Sequence, residues 1–433
     1  MEDVGSRAVG KASRALVPLL LLMYFVNYLD RVNIGFAALT MNHAIGLSAS
    51  VFGLGASIFF VGYVVLEVPS NLILAKVGAR LWIARIMISW GIVSGCMAFV
   101  SGPHSFYLVR FLLGVAEAGF FPGIIFYLTN WFPASHRARL VGLFMVGIPL
   151  SGLIGSPLST SVMTTLDSAA GLMGWQWMFI VEAVPSVLLG IACIWLLPDR
   201  PSDLASLSVE ERDWLQRTIA AEHRERERAG GYSVLQSLSK GTVWALAAVL
   251  FLASSALYGS IFWLPQVVKT FGLSNVAVGW VAAIPYLVAV PAMVLWTRRS
   301  DRTGERAWHV AIALFVAAAG FVITGVFLST PIVAMVGLSL SCAGIYAAFP
   351  IFWSLPTSFL TGTAAAAAIA FIAALGNFSG LIAPSLIGWS KDLTGGFNAA
   401  MFGLAIALLI GGFLVVAISR HVYARAPIPA MRR

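Results

Sequence analysis

Charged residues are scarce in this chain of 433 residues: Asp, Glu, Lys and Arg together make up 10% of it, against roughly a quarter in soluble domains. Hydrophobic residues make up 59%, and the mean hydropathy is +0.90. A composition this apolar excludes an ordinary soluble domain. The chain is therefore predicted to cross a membrane several times.

The residue types that build metal centres and disulfide frameworks are also few. The three cysteines, Cys96, Cys193 and Cys342, all lie in apolar segments, so we interpret them as small core residues and not as disulfide partners. The six histidines show no metal-ligand spacing, and no nucleophile motif or phosphate-binding loop stands out. These absences argue against an enzyme, and neither a metal nor a cofactor is expected.

Twelve apolar segments are long enough to cross a bilayer as helices, which requires about 20 residues each. They lie near residues 16–39, 51–74, 81–101, 105–130, 140–164, 175–197, 242–266, 276–297, 307–329, 331–355, 364–388 and 397–419. The pattern predicts an all-α membrane protein with twelve transmembrane helices in two six-helix bundles. No cleavable signal peptide is expected, because the first segment is too long and continues into Asp30 and Arg31.

One long polar segment, residues 198–240, divides the apolar segments into six and six. The predicted domains are an N-terminal bundle over 1–197, a cytoplasmic linker over 198–240 and a C-terminal bundle over 241–433. Within the linker, Ser208 is followed three residues later by Glu211, which is the pattern of a capping box at the beginning of a helix. The linker is therefore expected to contain a short amphipathic helix.

The net charge of +9 does not indicate a nucleic-acid partner, because the basic residues concentrate on one side of the predicted topology. Of the 27 lysines and arginines, only Lys269 and Lys391 fall on the other side, while Arg31 and Arg110 fall inside spans. This bias is typical of proteins whose cytoplasmic loops are positive. Both termini are therefore predicted to be cytoplasmic.

Two short loops occupy equivalent places in the two halves of the chain. The segment Ala75-Lys76-Val77-Gly78-Ala79-Arg80 follows the second apolar segment, and Asp301-Arg302-Thr303-Gly304-Glu305-Arg306 follows the eighth. Both contain a basic residue, a glycine and an arginine at alternate positions. Such a repeat indicates parallel duplication of a six-helix unit, and transporters built this way place their binding site between the halves, near the membrane midplane.

Several segments resemble the major facilitator superfamily, and the resemblance covers nearly the whole chain. The loop with Asp301, Arg302, Gly304 and Arg306 is similar to that superfamily's cytoplasmic loop motif, although Ala75 replaces the expected aspartate in the first half. Four segments resemble the anion:cation symporter family within it: Asn27-Tyr28-Leu29-Asp30-Arg31-Val32-Asn33-Ile34-Gly35-Phe36-Ala37, Glu67-Val68-Pro69-Ser70-Asn71, Arg110-Phe111-Leu112-Leu113-Gly114-Val115-Ala116-Glu117-Ala118-Gly119 and Asn130-Trp131-Phe132-Pro133. The resemblance implies proton-coupled import of a small organic anion, such as tartrate, phthalate, hydroxyphenylacetate or a sugar acid. It also implies a monomer in the bacterial inner membrane, surrounded by lipid.

Two opposite charges, Asp30 and Arg31, lie inside the first apolar segment, where an ionisable side chain costs roughly 2.5–3.5 kcal/mol or more. Neighbouring residues of a helix point about 100° apart, so these two side chains cannot share one partner. Arg110 and Glu117 are spaced to lie near one face of the predicted fourth helix. Four such charges indicate a polar pathway, and the alternative is a set of static ion pairs that holds helices together.

The chemistry of these side chains suggests separate roles. A guanidinium is always charged and binds a carboxylate through a planar fork, whereas a buried carboxyl group can gain or lose a proton. We therefore hypothesise that Arg31, supported by Arg110, binds the organic anion, and that Asp30 and Glu117 take up and release protons. Anion binding to the arginine favours protonation of the carboxyl group, which couples the two events. The resemblance implies the same roles.

The resemblance further implies substrate contacts from Tyr28, Tyr63, Ser354 and Asn377. The two tyrosines are equally consistent with ordinary packing, whereas Asn377 lies between glycines in an apolar segment, which favours a ligand contact. Some sugar-acid members of the family carry a glutamine in the middle of the fifth helix, where this chain offers only Ser151. A substrate with few hydroxyl groups is therefore expected.

Two other acidic residues, Glu67 and Glu182, lie inside predicted spans, and for both we favour a structural ion pair. Two other functions remain open. The glycines and prolines of the fifth segment loosely resemble an antiporter motif, which leaves an exporter or antiporter of an organic anion or drug as an alternative. A membrane sensor that signals through residues 198–240 is a further alternative, although this segment is shorter than the roughly 50–250 residues of a typical domain.

Overall fold

A computed structural model describes residues 2–228, 240–359 and 362–423. In these ranges the chain forms sixteen α-helices: α1 (Glu2–Ala44), α2 (Ala49–Val77), α3 (Ala79–Cys96), α4 (Pro103–Glu117), α5 (Phe120–Thr129), α6 (Ala134–Met145), α7 (Gly147–Thr165), α8 (Gly174–Leu196), α9 (Val209–Arg228), α10 (Gly241–Lys269), α11 (Asn275–Thr303), α12 (Ala307–Val326), α13 (Pro331–Phe352), α14 (Ser354–Phe359), α15 (Gly362–Thr394) and α16 (Asn398–Tyr423). Twelve segments of the described chain are long and apolar enough to span a membrane. The predicted count and the all-α class are confirmed.

Most spans contain a single α-helix. Three spans contain two α-helices each: Pro103–Thr129, Leu140–Thr165 and Pro331–Pro356. The fourth span, Pro103–Thr129, breaks between α4 and α5, where Gly119 has a φ of +88°. A φ of this sign is readily adopted only by glycine. As a result α4 ends at Glu117, and this carboxylate lies at a helix terminus instead of in mid-helix.

The described residues form two compact units: unit one combines parts of both halves of the sequence, and unit two comes from the second half alone. Unit one contains residues 2–228, 258–287 and 380–397, and unit two contains residues 240–257, 288–359, 362–379 and 398–423. The division of the chain into domains at residues 197 and 240 stays a prediction.

In unit one, Asp392 of α15 accepts hydrogen bonds from the backbone N–H groups of Ala49 (3.2 Å) and Ser50 (2.7 Å). A residue at the C-terminal end of the eleventh span therefore caps the N-terminus of α2.

The linker contains the expected helix, α9. The backbone N–H of Ser208 donates to Oε2 of Glu211 (2.8 Å), and the N–H of Glu211 donates to Oγ of Ser208 (3.3 Å), so the predicted capping box is confirmed. Glu211 also accepts a hydrogen bond from Nζ of Lys11 (2.8 Å) in α1. The helix α1 begins well before the predicted apolar segment, and its first turns pack against α9.

Helices α2 and α4 pack closely in unit one because glycines lie at their contact. A Cβ atom at Gly114 of α4 would collide with the carbonyl oxygen of Phe59, and one at Gly62 of α2 would collide with the carbonyl oxygen of Phe111. Small residues let membrane helices approach backbone to backbone. This contact holds Phe59 and Tyr63 of α2 against the end of α4.

We expect Gly114→Ala to lower the thermal stability of the protein, because overpacking a close contact costs roughly 1–3 kcal/mol. Gly142→Ala in α6 is the matched control, since a Cβ atom there meets nothing within 4 Å and alanine favours a helix by up to about 1 kcal/mol. Melting of the two purified variants in one detergent measures the difference. Equal melting temperatures would contradict the close packing of α2 and α4.

In unit two, α12 packs against both α13 and α16. Gly320 of α12 faces the backbone of α13 at Gly337 and Ser341, which again permits close approach.

Of the three cysteines, Cys193 and Cys342 are buried as expected. Cys96 is exposed as the last residue of α3, so its interpretation as a core residue is wrong.

Candidate functional site

Arg31 of α1 forms a buried ion pair with Glu117, the last residue of α4. Its Nη2 atom donates to Oε1 of Glu117, and only 8% and 4% of the two side chains are exposed. The pair forms because the glycine break after Glu117 ends α4 beside α1. Two of the four predicted charges are thus brought together, and each compensates the buried charge of the other.

Aromatic rings surround the guanidinium of Arg31. Its Cζ atom lies 4.8 Å from the ring centroid of Tyr28, 5.3 Å from that of Phe59 and 5.8 Å from that of Tyr63. These distances fall within the range in which a cation is attracted to an aromatic face. The structure therefore places both predicted tyrosines at the Arg31–Glu117 pair.

Arg110 lies next to this cluster but has different partners. Its Nε and Nη2 atoms donate to the carbonyl oxygens of Gly55 (3.2 Å) and Ala56 (3.2 Å) in α2, and 1% of the residue is exposed. Its Cζ atom lies 4.9 Å from the ring centroid of Phe59, so this ring contacts both arginines. In this conformation Arg110 ties α4 to α2, and it forms no ion pair with any carboxylate of the described residues.

Asp30 points away from Arg31, as the angle between neighbouring helical positions requires. Its Oδ2 atom accepts hydrogen bonds from Nε1 of Trp90 (2.6 Å) in α3 and from Oγ of Ser186 (2.6 Å) in α8. The residue is 3% exposed, and its Oδ1 atom has no hydrogen-bond partner among the described residues. The prediction that Asp30 and Arg31 need different partners is confirmed, and Asp30 has neutral donors instead of a cation.

Glu182 is a second buried acid without a cation. Its Oε1 atom accepts a hydrogen bond from Oγ of Ser159 (2.7 Å), and the residue is 2% exposed. The expected structural ion pair at Glu182 is therefore wrong, because in the described part of the chain its partner is a hydroxyl group. The corresponding expectation for Glu67 stays a prediction.

The remaining predicted residues lie in unit two. Ser354, the first residue of α14, donates from Oγ to the carbonyl oxygen of Ile351 (2.6 Å), and Asn377 is half-buried in α15. Their role as substrate contacts stays a prediction.

Among the described residues, no group of three or more His, Cys, Asp or Glu side chains is close enough to hold a metal ion.

The predicted loop motif forms a tight turn after α11. Gly304 has a φ of +70°, and Nη1 of Arg306 donates to Oδ1 of Asp301 (2.5 Å) and to Oγ of Ser300 (3.2 Å). The equivalent glycine of the first half, Gly78, has a φ of +99°. Both glycines therefore adopt backbone conformations that favour glycine, which agrees with the duplication inferred from the sequence.

Sequence reasoning missed three contributors to these clusters: Phe59, Trp90 and Ser186. Phe59 lies one helical turn before Tyr63, so the spacing of the two rings was a usable signal. Trp90 and Ser186 gave no such signal, because an apolar helix commonly carries a tryptophan or a serine for packing alone. Their role becomes visible only when α1, α3 and α8 are brought together.

Known proteins resemble this chain over most of its length. The family model described as Major Facilitator Superfamily matches residues 20–384. A protein of Agrobacterium vitis named "Putative tartrate transporter" is 52% identical over 96% of this chain and 92% of its own length. A protein of Acinetobacter baumannii named "Quinolone resistance transporter" is 37% identical over 92% of this chain and 91% of its own length.

One solved structure shows the same fold at low sequence identity. It is the inward-facing, unoccupied form of a bacterial homologue of the human lysosomal transporter Spinster, which is 16% identical to this chain with a TM-score of 0.76. The match covers 97% of this chain and 99% of that chain. At this level of identity the comparison concerns the fold alone.

Proposed function

Because this chain belongs to the major facilitator superfamily and is an integral membrane protein, we propose that it imports a small organic anion together with protons by alternating access. The single observation that carries the proposal is the buried ion pair of Arg31 and Glu117. It brings a permanently charged anion-binding group into contact with a group that can be protonated. No catalytic chemistry is involved, and the chain is not an enzyme.

The coupling follows from charge balance at this pair. When the site is empty, Arg31 and Glu117 neutralise each other. When a substrate carboxylate occupies Arg31, Glu117 loses its cation, and binding a proton restores the balance. A carrier that holds only one of the two solutes keeps an uncompensated buried charge, which costs roughly 3–5 kcal/mol. The empty and the fully loaded carrier are therefore the states that change conformation readily, and this is the condition for symport.

Asp30 is the proposed second proton site. Its hydrogen-bond donors are the neutral groups of Trp90 and Ser186, so nothing in direct contact compensates a negative charge there. Burying a charge without a partner is costly, and taking up a proton removes that cost. Because Asp30 and Arg31 are neighbours on α1, a movement of this helix during transport affects both sites.

The substrate is proposed to be a mono- or dicarboxylate, such as tartrate, an aromatic carboxylate or a sugar acid. The aromatic side chains of Tyr28, Phe59 and Tyr63 around Arg31 favour a compact anion with an apolar or planar part. Ser151, in the place of the glutamine found in some sugar-acid carriers, is fully buried and donates to the carbonyl oxygen of Ile148. A heavily hydroxylated substrate therefore has fewer partners. Ser354 and Asn377 are proposed to complete the site from the second half of the chain, and Arg110 to support Arg31.

The protein is proposed to act as a monomer in the bacterial inner membrane with both termini in the cytoplasm. Uptake of labelled tartrate, phthalate, hydroxyphenylacetate and an aldonate by the purified protein in liposomes tests the proposal. We expect one of these anions to accumulate when the outside is more acidic than the inside, and not when the gradient is removed. Because no other component is present, uptake also excludes a role as a membrane sensor only.

The second candidate function is proton-driven export. The relative named for quinolone resistance favours it. In an exporter, proton binding to Glu117 accompanies release of the substrate instead of its binding. The direction of the gradient distinguishes the two functions. A symporter accumulates its substrate on the side toward which protons flow, whereas an antiporter accumulates it on the side from which they flow.

A further inference from the structure

A groove of about 560 Å³ lies in unit two, where α11, α12 and α13 meet. One wall comes from the C-terminal part of α11 and carries Leu295, Trp296 and three arginines. The opposite wall comes from α12, and α13 contributes only small residues. The groove shares no residue with the pair of Arg31 and Glu117, which belongs to unit one.

The three arginines are Arg298, Arg299 and Arg302, and all are exposed. None of them forms an ion pair with another residue that the structure describes. The two nearest acids along the chain are already engaged: Asp301 with Arg306, and Glu305 with His309 (3.4 Å). The rim of the groove therefore carries uncompensated positive charge.

The apolar walls of the groove lie on the faces that the helices expose within their spans. Leu295 is 63% exposed, and on α12 Ile312 and Val316 are 40% and 39% exposed. Val288, Leu295 and Arg302 follow one another at intervals of two helical turns along α11, so the arginine ends an exposed apolar stripe. Apolar side chains that are exposed inside a span are suited to contact with hydrocarbon, so the walls of the groove suit an acyl chain.

The floor of the groove consists of small residues from two closely packed helices. Ala313 of α12 and Gly344 of α13 lie at the contact, where a Cβ atom on the glycine would collide with the carbonyl oxygen of Ala313. Ala343 and Ala347 continue this small-residue floor along α13. At the end with the arginines, Nε1 of Trp296 donates to the carbonyl oxygen of His309 (2.9 Å) and ties α11 to α12. The apolar groove therefore ends at a positively charged rim.

We propose that this groove binds an anionic phospholipid, with its phosphate at Arg298, Arg299 and Arg302 and one acyl chain along Leu295, Ile312 and Val316. Basic clusters at the ends of membrane helices attract anionic headgroups, and each buried CH₂ group of an acyl chain adds about 0.8 kcal/mol. A free soluble anion uses the arginines but gains nothing from the apolar walls. The proposal does not depend on what the protein transports.

The test uses the full-length protein, stripped of lipid by exchange into detergent, and native mass spectrometry with added phosphatidylglycerol or phosphatidylcholine. We expect the protein to retain phosphatidylglycerol preferentially. The variant Arg298→Gln/Arg299→Gln/Arg302→Gln is expected to bind it at least tenfold more weakly. The matched control Arg14→Gln/Arg217→Gln/Arg224→Gln removes the same charge from exposed positions outside the groove and is expected to bind it as the unchanged protein does.

Two further ligands identify the source of the anion. Dihexanoyl phosphatidylglycerol has the same headgroup with short chains, and we expect it to bind at least tenfold more weakly than the long-chain lipid. Inorganic phosphate is expected not to compete with the long-chain lipid at equal concentration. Equal binding of the short-chain lipid, effective competition by phosphate, or equal losses in both triple variants would each overturn the proposal.

Discussion

Replacing Arg31 with glutamine is expected to reduce uptake of the transported anion by about 100-fold or more, since truncating one partner of a buried charge pair typically costs 2–5 kcal/mol. Two effects combine in this variant. The anion loses the guanidinium that binds its carboxylate, and Glu117 loses the cation that compensates its charge. Initial uptake rates in liposomes measure the first effect, and thermal melting measures the second.

A double variant separates these two effects. Arg31→Gln/Glu117→Gln leaves two neutral amides in place of the ion pair, so we expect it to melt at a higher temperature than Arg31→Gln alone, while uptake stays absent. Arg31→Lys keeps the charge but lacks the planar fork, and we expect an intermediate rate. The matched control is Arg85→Gln in α3, whose guanidinium is exposed and lies 4.4 Å from the ring centroid of Trp82. Uptake by this control is expected to stay within twofold of the unchanged protein.

A normal rate of uptake by Arg31→Gln, with an unchanged KM, would show that the anion binds elsewhere. The alternative of a purely structural ion pair makes a different prediction. In that case the double variant regains transport together with stability, because neutral side chains of similar size hold α1 and α4 together equally well. The double variant therefore distinguishes a binding role from a structural role even if Arg31→Gln folds poorly.

Replacing Glu117 with glutamine is expected to abolish accumulation of the anion against its gradient while leaving exchange across the membrane intact. Glutamine keeps the size and a hydrogen-bond acceptor of the side chain but cannot exchange a proton. Arg31 then stays cationic and available to the anion at every stage. With an imposed gradient of one pH unit, each coupled proton supports an accumulation of up to about tenfold, because 1.4 kcal/mol corresponds to a factor of ten. In the variant this ratio is expected to fall to about one.

Counterflow supplies the second measurement for this variant. Liposomes preloaded with unlabelled anion are expected to take up labelled anion through Glu117→Gln, because loaded carriers can still change conformation. Glu182→Gln is the matched control: it is another buried carboxyl group of the first six spans, and its hydrogen bond from Ser159 suits an amide oxygen equally well. We expect this control to keep its coupling. Proton-driven accumulation by Glu117→Gln would remove Glu117 from the coupling role.

The sequence was sufficient to predict the fold class because each span is long and apolar, and these properties are local. The capping box at Ser208 and Glu211 was predictable for the same reason. Arg31 and Glu117 could be singled out by the cost of burying charge, without knowledge of their neighbours. That they bind each other depends on the end of α4 at the glycine break, which composition and spacing alone do not determine.

The partners of Asp30, Glu182 and Arg110 could not be predicted from the sequence. Each depends on which face of one helix meets which face of another, and that choice is made by packing between segments distant in the chain. Arg110 illustrates the difficulty, because a buried arginine suggests a carboxylate partner and the structure gives it two backbone carbonyl groups of α2 instead. The groove beside α11 was likewise invisible, since it requires small residues from two neighbouring helices at once.

The contact between the beginning of α1 and the linker helix has a consequence for biosynthesis. Lys11 leaves the ribosome 200 residues before Glu211, an interval of about 10–40 s at a synthesis rate of 5–20 residues per second. During this time the first turns of α1 lack their final partner while six spans are inserted. A nascent chain that stops before α9 can therefore complete those insertions and still leave the docking face of its amino-terminal turns uncovered.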